Sequence, residues 1–402
     1  MAEASTAEPL RVVFYSHDSQ GMGHFRRNRA LAHALAQRLP VLTGRPVTGL
    51  LVNGVAGSVT SSLPAGFDVV TLPAVGKTGV AYGPRRLGLG LDAVTGLRSQ
   101  IVRATLLSFR PDLVVVDRHA LGVGGELEEG LRALREEVPG ARVVLGLREV
   151  LDTPQALARE WERTPVPTVR GLYDEIWVYG DPRVHDLRTS GELPEELHDL
   201  VRYQGYLSHG RAEDPPGIEP STPYLLTTVG GGSDGTRLCL AAARATVPTG
   251  HVQVIVTGPQ MSEADHRAVE RAAGARTTVV RSVADAAGLI RQAAAVISMA
   301  GYNTVTEALA VDVPALFVPR EWPRREQLLR CQGLAADGAV DLLRASQLSP
   351  EALTRWWASA VGRRVSREHL DLGGLRATAR SAAELLAGAA TPRPRKELVV
   401  AV

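Results

Sequence analysis

The chain has 402 residues, of which 45% are hydrophobic and 22% charged, and this composition excludes collagen-like, disordered and disulfide-scaffold proteins. Its length predicts about two domains, each large enough to bury a core without disulfides or metals. Lys and Arg (45 residues) nearly balance Asp and Glu (43 residues), so no global field favours a nucleic-acid partner. Almost all the basic residues are Arg, which we attribute to GC-rich coding and not to function.

Cysteine usage and hydropathy indicate the cellular compartment of the protein. The two cysteines, Cys239 and Cys331, form no CxxC pair and no disulfide framework, as is typical of a reducing cytoplasm. Residues 1–9 are small and acidic and lack the basic and apolar parts of a signal peptide. No apolar run approaches the roughly 18 residues of a membrane-spanning helix. We expect a cytoplasmic protein that is soluble or at most peripheral to a membrane.

The first half of the chain alternates short apolar runs with helical patterns, which predicts a parallel sheet covered by helices. Residues 10–16 form the first such run, and a glycine-containing loop then leads into a helical pattern over residues 24–39. This strand, loop and helix match the opening unit of a doubly wound fold. The later predicted elements are strands at residues 49–53, 68–72, 113–117, 141–145, 175–179 and 201–205, and helices at residues 92–109 and 125–137.

A cluster of Pro, Gly and polar residues at 205–223 reads as a linker to a second region with the same rhythm. We therefore predict an α/β protein of two Rossmann-like domains, residues 1–206 and 207–390, that face each other across a ligand-binding cleft. The sequence leaves open whether the tail, residues 391–402, packs or is disordered. The second region has predicted strands at residues 224–229, 251–257, 277–280, 294–298 and 315–318, and helices at residues 236–245, 263–273, 303–310, 350–360 and 370–387.

A glycine-rich loop follows the first strand of the second region. Its residues Gly231, Gly232 and Ser233 can turn backbone N–H groups and a hydroxyl toward a diphosphate at the start of the next helix. The same loop matches the GxSxG pattern of a hydrolase, with Asp285 and His369 as triad partners of Ser233. Extra glycines widen the turn, which weighs against the hydrolase, and a plain tight turn is the third alternative.

A second informative stretch leaves a strand at Ser298 and enters a helix through Gly301, Asn303 and Thr304. Thr304 and Glu307 fit a capping box, which is the structural explanation for both residues. In the functional explanation, Glu307 accepts two hydrogen bonds from a ribose diol. The spacing supports both explanations equally.

A third stretch follows the next strand and contains Arg320, Glu326 and Gln327. Its composition favours the solvated start of an amphipathic helix. Its position at the carboxyl end of a strand would instead aim these three side chains at the cleft. Composition alone favours the solvated helix.

In the first half, His24 stands at the start of the helix after the first strand, where the helix dipole favours the neutral imidazole that can act as a base. A capping or surface role is the alternative. Gly23, His17, Asp117 and His119 lie near strand ends that could line the same cleft. No D-x-D triplet or clustered set of metal ligands occurs, so we expect metal-independent chemistry with no cofactor.

Three segments of the second half resemble the donor domain of glycosyltransferase family 28, the family of the MurG-type N-acetylglucosaminyltransferases. They are VGGGSDG (229–235), SMAGYNTVTEALAVDVPALFVPR (298–320) and REQLLR (325–330). With FYSHDSQGMGHFRRNRALAHAL and WVYGDPRV from the first half, the whole chain is similar to bacterial glycosyltransferases of the two-domain GT-B fold. The resemblance implies a nucleotide-diphosphate-sugar co-substrate held mainly by the second domain, with a UDP-sugar favoured over a dTDP-sugar.

By motif position, the resemblance assigns the active-site histidine to His24, the ribose contact to Glu307, and the sugar-hydroxyl contacts to Glu326 and Gln327. The loop QGMGH contains fewer glycines than the corresponding loop of the family, and Glu326 stands where the family has a glutamine. The donor sugar can therefore differ from N-acetylglucosamine. The other donor-binding candidates, of which the first three would contact the diphosphate, are Gly231, Gly232, Ser233, Ser298, Gly301, Asn303, Thr304 and Arg320.

These expectations combine into an inverting, metal-independent glycosyltransferase in which His24 deprotonates a hydroxyl or amine of the acceptor. The alternatives are a non-hydrolysing nucleotide-sugar 2-epimerase of the same fold, the Ser233 hydrolase, and a non-catalytic nucleotide-sugar sensor. The acceptor is open among small molecules, glycans and lipid-linked molecules, and the oligomeric state is open too. Residues 85–91 mix basic and apolar character; we favour a solvated loop there over a peripheral contact with a membrane.

Overall fold

The computed structural model describes residues 7–17, 22–55, 62–78, 81–212, 220 and 222–388, and it contains two parallel sheets. Four predicted features lie partly or wholly outside the described residues: the N-terminus before residue 7, the loop at 18–21, the linker at 213–219, and the tail at 391–402. An α/β fold with two parallel-sheet domains is therefore confirmed, whereas the boundary between residues 206 and 207 stays a prediction.

The first sheet has seven parallel strands in the order β3-β2-β1-β6-β7-β8-β9, and an antiparallel hairpin, β4 with β5, lies beside it. A short 3₁₀ helix, Glu195–Leu200, precedes the last strand. The elements in chain order are β1 (Leu10–Tyr15), α1 (Gly23–Thr43), β2 (Val47–Asn53), β3 (Phe67–Thr71), β4 (Val75–Thr78), β5 (Ala81–Pro84), α2 (Leu91–Phe109), β6 (Leu113–Asp117), α3 (Glu128–Glu137), β7 (Arg142–Arg148), α4 (Pro154–Trp161), α5 (Val166–Leu172), β8 (Glu175–Tyr179) and β9 (Val201–Tyr203).

The second sheet has six parallel strands in the order β12-β11-β10-β13-β14-β15. In each sheet the first strand pairs with strands on both sides, so the chain order reverses at β1 and at β10, where open α/β sheets bind ligands. The elements are β10 (Tyr224–Thr228), α6 (Thr236–Arg244), β11 (Val252–Val256), α7 (Glu263–Ala272), β12 (Thr277–Val280), α8 (Ala286–Gln292), β13 (Ala295–Ser298), α9 (Tyr302–Leu309), β14 (Ala315–Phe317), α10 (Glu326–Ala336), β15 (Asp341–Leu342), α11 (Pro350–Ala360) and α12 (Gly374–Ala387).

Several predicted elements differ from the structure at their ends or were not expected. The helix predicted at residues 125–137 begins at Glu128, because Gly122 and Gly125 adopt positive φ angles of 83° and 86° that a helix does not accommodate. Helix α4 was not predicted, although Thr153 caps it and Pro154 opens it, which is a recognised start signal. The hairpin and helices α5 and α8 were also not predicted.

The last helix returns to the first domain. Helix α12 was predicted to begin at residue 370 as part of the second domain, but it begins at Gly374 and packs against α1. Before it, Leu207 and Gly373 form a β-bridge, and the N–H of Tyr206 donates to the carbonyl of Asp371. Residues 206–209, in the first part of the predicted linker, therefore pack against the C-terminal segment, and Tyr206 and Leu207 are buried.

The two domains also meet through a buried ion pair. The guanidinium of Arg330, on α10, donates to both carboxylate oxygens of Glu149, just after β7, at 2.6 and 3.2 Å. Both side chains are at most 1% exposed. A further donor of Arg330 reaches the carbonyl of Ala300 at 3.0 Å. Each of these buried charges is compensated by the other. The pair therefore stabilises the closed arrangement of the domains in which the two side chains meet.

We expect Glu149→Ala to lower the free energy of unfolding by about 3–5 kcal/mol, because it leaves the buried charge of Arg330 uncompensated. Denaturant unfolding measures the change. The double variant Glu149→Ala/Arg330→Met should recover part of the loss. Asp199→Ala, which removes one partner of the exposed Arg170 pair, is the control and should change stability little. A loss no larger than the control's would contradict the assignment.

Candidate active site

The first domain places a histidine and a carboxylate together at the carboxyl end of its sheet. Asp117 is the last residue of β6, and His24 lies in the first turn of α1, which follows the neighbouring strand β1. The Nδ1 atom of His24 lies 2.9 Å from an Asp117 carboxylate oxygen, and Arg27 donates to both oxygens of Asp117 at 2.6 Å. Burial raises the pKa of Asp117, but Arg27 and His24 outweigh it and hold this pKa below its usual range.

The geometry determines which nitrogen of His24 carries the proton. An ionised carboxylate only accepts hydrogen bonds, so Nδ1 must be the donor to Asp117. The nearby Arg27 amino group, 3.0 Å from Nδ1, shares the same carboxylate. In the neutral ring the lone pair is then on Nε2, for which no hydrogen-bond partner occurs among the described residues. His24 is 23% exposed, so Nε2 is accessible to a ligand in the cleft.

Two more histidines complete this side of the cleft. The rings of His24 and His119 each lie 4.5 Å from that of His17, centroid to centroid. Burial, with His24 and His119, lowers the pKa of His17 well below its usual value, so His17 is neutral at pH 7. His119 lies 3.4 Å from Glu160, and burial lowers its pKa against the opposing effect of that carboxylate. The structure thus brings together the predicted residues of the first domain.

The glycine-rich loop after β10 has the backbone freedom that its sequence suggests. Gly230 and Gly232 have φ angles of 63° and 93°, and a Cβ on Gly232 would lie 2.2 Å from the carbonyl oxygen of Thr257. Ser233 is exposed, and helix α6 begins just beyond it. The positive end of α6 and the loop amides therefore face the cleft edge of the second sheet.

The hydrolase triad is not assembled. The carboxylate of Asp285 caps α8 by accepting from the N–H of Gly288 at 2.8 Å. His369 pairs instead with Asp337 at 2.5 Å, on the exposed surface. Since both proposed partners of Ser233 are engaged elsewhere, the GxSxG match does not produce a nucleophile.

The capping-box explanation for Thr304 and Glu307 was wrong. Gly301 is the N-cap residue of α9, and it makes no side-chain cap, so Thr304 lies inside the helix. Glu307 is buried, and one of its oxygens accepts from Arg26 at 2.6 Å and from Arg211 at 3.3 Å. Its other oxygen, Oε2, is buried and has no hydrogen-bond partner among the described residues.

Two other residues of this stretch, Ser298 and Asn303, form hydrogen bonds within the protein. The hydroxyl of Ser298 donates to the carbonyl of Thr228 at 2.5 Å, which joins β13 to β10. The side-chain amide of Asn303 donates to the carbonyl of Gly23 at 2.9 Å, across the two domains. Both were candidates for donor binding, and that role stays a prediction.

A pocket opens beside Glu307, between α1 of the first domain and the start of α8 in the second. It combines basic side chains with the small residues that begin α8. The residues that line it are Arg26, Arg29, Ala30, His33, Arg211, Ala212, Asp285, Ala286, Ala287 and Glu307.

The third predicted stretch is not a solvated helix start. Arg320 donates to Glu326 at 2.5 Å and to Asp234 at 3.1 Å, and its backbone N–H donates to Gln327 at 3.0 Å. Glu326 is only 4% exposed. Burial raises the pKa of Glu326, but Arg148, Arg320 and Arg330 together lower it below its usual value. The group connects α10 to the glycine-rich loop through Asp234.

Apart from Arg320, sequence reasoning missed the arginines of the site, because their abundance was attributed to coding. Arg27 lies three residues after His24, which puts both on one helix face, and this spacing could have indicated it. Arg148 ends β7 just as Asp117 ends β6, so the strand-end rule could have indicated it too. Among the residues described, no group of three or more His, Cys, Asp or Glu side chains is arranged to hold a metal ion.

Comparisons with known proteins agree with this architecture. Residues 226–359 match the model of the glycosyltransferase family 28 C-terminal domain. The UDP-N-acetylglucosamine--N-acetylmuramyl-(pentapeptide) pyrophosphoryl-undecaprenol N-acetylglucosamine transferase of Halorhodospira halophila is 30% identical over 359 residues, 85% of this chain and 87% of that protein. The chain belongs to glycosyltransferase family 28. The transferase of the same name from Acidothermus cellulolyticus is 28% identical over 83% of this chain and 85% of its own.

A solved structure supports the fold of this family 28 glycosyltransferase. The chain superimposes on MurG of Acinetobacter baumannii with a TM-score of 0.50 and 17% identity, over 94% of this chain and 95% of that one. The GT-B architecture is therefore confirmed. None of the helices in the described part of the chain is both long and apolar enough to cross a membrane.

Proposed function

We propose that this family 28 glycosyltransferase moves a sugar from a UDP-sugar to a hydroxyl group of a lipid-linked acceptor, in one inverting displacement that needs no metal ion. The names of the two curated relatives support the donor and acceptor classes, since both transfer N-acetylglucosamine from its UDP form to a pyrophosphoryl-undecaprenol acceptor. Two free, buried cysteines suit a reducing compartment, so we place the reaction in the cytoplasm.

The observation that carries the proposal is the contact of His24 with Asp117 at the cleft. Asp117 holds the imidazole with its proton on Nδ1, so that Nε2 can accept the proton of an acceptor hydroxyl. The oxygen then attacks the anomeric carbon of the donor as the bond to the diphosphate breaks. Asp117 stabilises the imidazolium that forms, as its low pKa keeps it ionised. Attack from the side opposite the diphosphate inverts the anomeric centre.

The diphosphate that leaves carries growing negative charge. In the proposal, the loop from Gly231 to Ser233 and the positive end of α6 stabilise this charge, with the amides of Gly231 and Ser233 as donors because the N–H of Gly232 donates to the carbonyl of Val229. They are fixed before the reaction starts, so little reorganisation is needed at the transition state. The sugar of the donor would then be contacted by Arg320, Glu326 and Gln327. We infer that a metal is unnecessary because these groups supply the electrostatic stabilisation.

The nucleoside is placed at the pocket beside Glu307. One oxygen of this carboxylate is held by Arg26 and Arg211, whereas the buried Oε2 has no partner in the described part of the chain and can accept from a ribose hydroxyl. A buried acceptor without a donor is costly, so the site is prepared for a ligand that donates there.

The reaction is tested with the purified chain, a panel of UDP-sugars and undecaprenyl-diphosphate-linked N-acetylmuramyl pentapeptide. We expect UDP release that requires the acceptor, an inverted linkage by NMR, and the same rate in EDTA. Donor incubated alone should yield no 2-epimer; epimer formation would favour the epimerase. Thermal shifts with UDP, dTDP, GDP and their sugars form the second assay. Stabilisation by none of them would rule out a nucleotide-sugar donor and leave no support for the proposal.

His24→Ala should lower kcat by about 10²–10⁴-fold with little change in KM for the donor, because it removes the base without touching donor contacts. Asp117→Asn should also lower kcat, since an amide no longer fixes the ring. His251→Ala is the control: this histidine lies in the loop before β11, and its Nδ1 atom contacts only the carbonyl of Thr249. Wild-type kcat in a folded His24→Ala variant would exclude His24 as the base.

The role of Glu307 is tested with UDP and its 2′-deoxy analogue. If the carboxylate accepts from the ribose, wild-type chain should bind UDP several-fold more tightly than dUDP by calorimetry. Glu307→Gln should weaken UDP binding and bring the two affinities together. Glu263→Gln, at an exposed carboxylate on α7, is the matched control and should preserve the preference. A Glu307→Gln variant that keeps the full preference for UDP would place the ribose elsewhere.

A further inference from the structure

The arginines around the cleft are paired with carboxylates, with one exception. Four of them each have a dedicated acidic partner within 3.0 Å. Arg148 has no hydrogen bond and no ion pair from its guanidinium to any described residue, and its Nε atom is buried without a partner. The four pairs are Arg27 with Asp117, Arg118 with Glu160, Arg320 with Glu326, and Arg330 with Glu149.

Arg148 lies between the catalytic side and the donor side of the cleft. It is the last residue of β7, and β7 pairs with β6, whose last residue is Asp117. Its electrostatic neighbours include Glu326 and Arg330 of the second domain and Arg27 of the first. The carboxyl end of β7 therefore brings a cation to the junction of both domains, one strand away from His24 and its partner.

The surroundings of Arg148 disfavour the charged form of its side chain. Burial, together with Arg330, lowers the pKa of Arg148 to about 9, so the side chain is still charged at pH 7. The neighbouring carboxylate of Glu326 is bonded to Arg320 through Oε1, and its Oε2 atom has no hydrogen-bond partner among the described residues, so it does not bond to Arg148 either. Arg148 as a whole is partly buried, and its Nε atom is buried without a partner among the described residues. A charge in this position lacks part of its solvation, and a ligand of opposite charge would compensate it.

We infer that Arg148 binds a diphosphate group in the cleft. The planar guanidinium donates in a fork that matches two phosphate oxygens, and an anion there would restore the balance of charge. The inference rests on the proposed function, which supplies two sources of this chemistry: the diphosphate of the nucleotide donor and the diphosphate that links a lipid to its glycan. Both would lie near the sugar that is transferred, at the end of β7.

Calorimetry on the full chain separates the two sources. The difference in affinity between UDP and uridine measures binding of the donor diphosphate. The affinity of farnesyl diphosphate for UDP-saturated protein measures binding of an acceptor diphosphate. Arg148→Met should weaken at least one diphosphate ligand by about 10- to 100-fold and leave uridine unchanged. Arg148→Lys, which keeps the charge but loses the fork, should fall between. Arg142→Met is the matched control at the other end of β7, where Arg142 pairs with Asp174, and should bind all probes as wild type does.

Stability in the absence of ligand tests the competing structural role. Because Arg148 has no partner to lose, Arg148→Met should melt at or above the wild-type temperature, whereas Arg142→Met should melt lower. A lower melting temperature for Arg148→Met, or unchanged affinity for both diphosphate probes, would overturn the inference. If wild type binds farnesyl diphosphate through Arg148 but not UDP, the donor proposal fails and the inference stands. If UDP binds independently of Arg148, and farnesyl diphosphate does too, only the inference fails. Failure of wild type to bind either probe would overturn both.

Discussion

The buried carboxylate of Asp117 is the interaction on which both the orientation of His24 and the contact between the domains depend. It orients His24 on one side and holds Arg27 on the other. The guanidinium of Arg27 lies 5.4 Å from the ring centroid of Tyr302 in the second domain, and Arg330 lies 5.6 Å from the same ring. Tyr302 is thus flanked by two arginines, each fixed by its own buried carboxylate.

This chain of contacts couples His24 to the arrangement of the domains. Asp117, Arg27, Tyr302, Arg330 and Glu149 form a continuous path across the cleft, in which neighbouring members are charged or aromatic and almost fully buried. Opening the cleft would separate Tyr302 from Arg27 and Glu149 from Arg330. Charges that now neutralise each other would then become exposed or uncompensated. The closed arrangement therefore orders the charges of the cleft, and in the proposed reaction it would also exclude water from the sugar-transfer step.

The same logic explains why a nearly neutral chain can bind a strongly anionic co-substrate. Most of the cleft arginines are compensated by carboxylates, so their role is to fix geometry. Several buried polar atoms at the cleft have no hydrogen-bond partner among the described residues, and two of them carry the proposals made above: Oε2 of Glu307 and Nε of Arg148. One is an acceptor suited to a diol and the other a cation suited to phosphate.

Alternation of apolar runs and helical patterns was enough to predict two parallel α/β domains, since a strand buried on both faces has a composition that few other elements share. The strand-end rule likewise placed His17, Asp117 and His119 near His24, because parallel strands all end at one edge. The family motifs marked the glycine-rich loop and Glu307. Spacing left a capping box at Thr304 as one of two equal explanations, and composition alone favoured a solvated helix start at Glu326. The structure excludes both, because backbone direction and burial decide those roles.

What the sequence by itself determined was the layout of each half: strands, loops, helices, and the polar residues that follow the strands. Only the tertiary structure decided which charges meet. Arg26 contacts Glu307 across 281 positions, Arg330 contacts Glu149 across 181, and α12 crosses back to α1. Such contacts have no local signature, because an arginine looks the same in sequence whether it is paired, solvated or left for a ligand. Its role is set by the carboxylates that folding brings within hydrogen-bond distance.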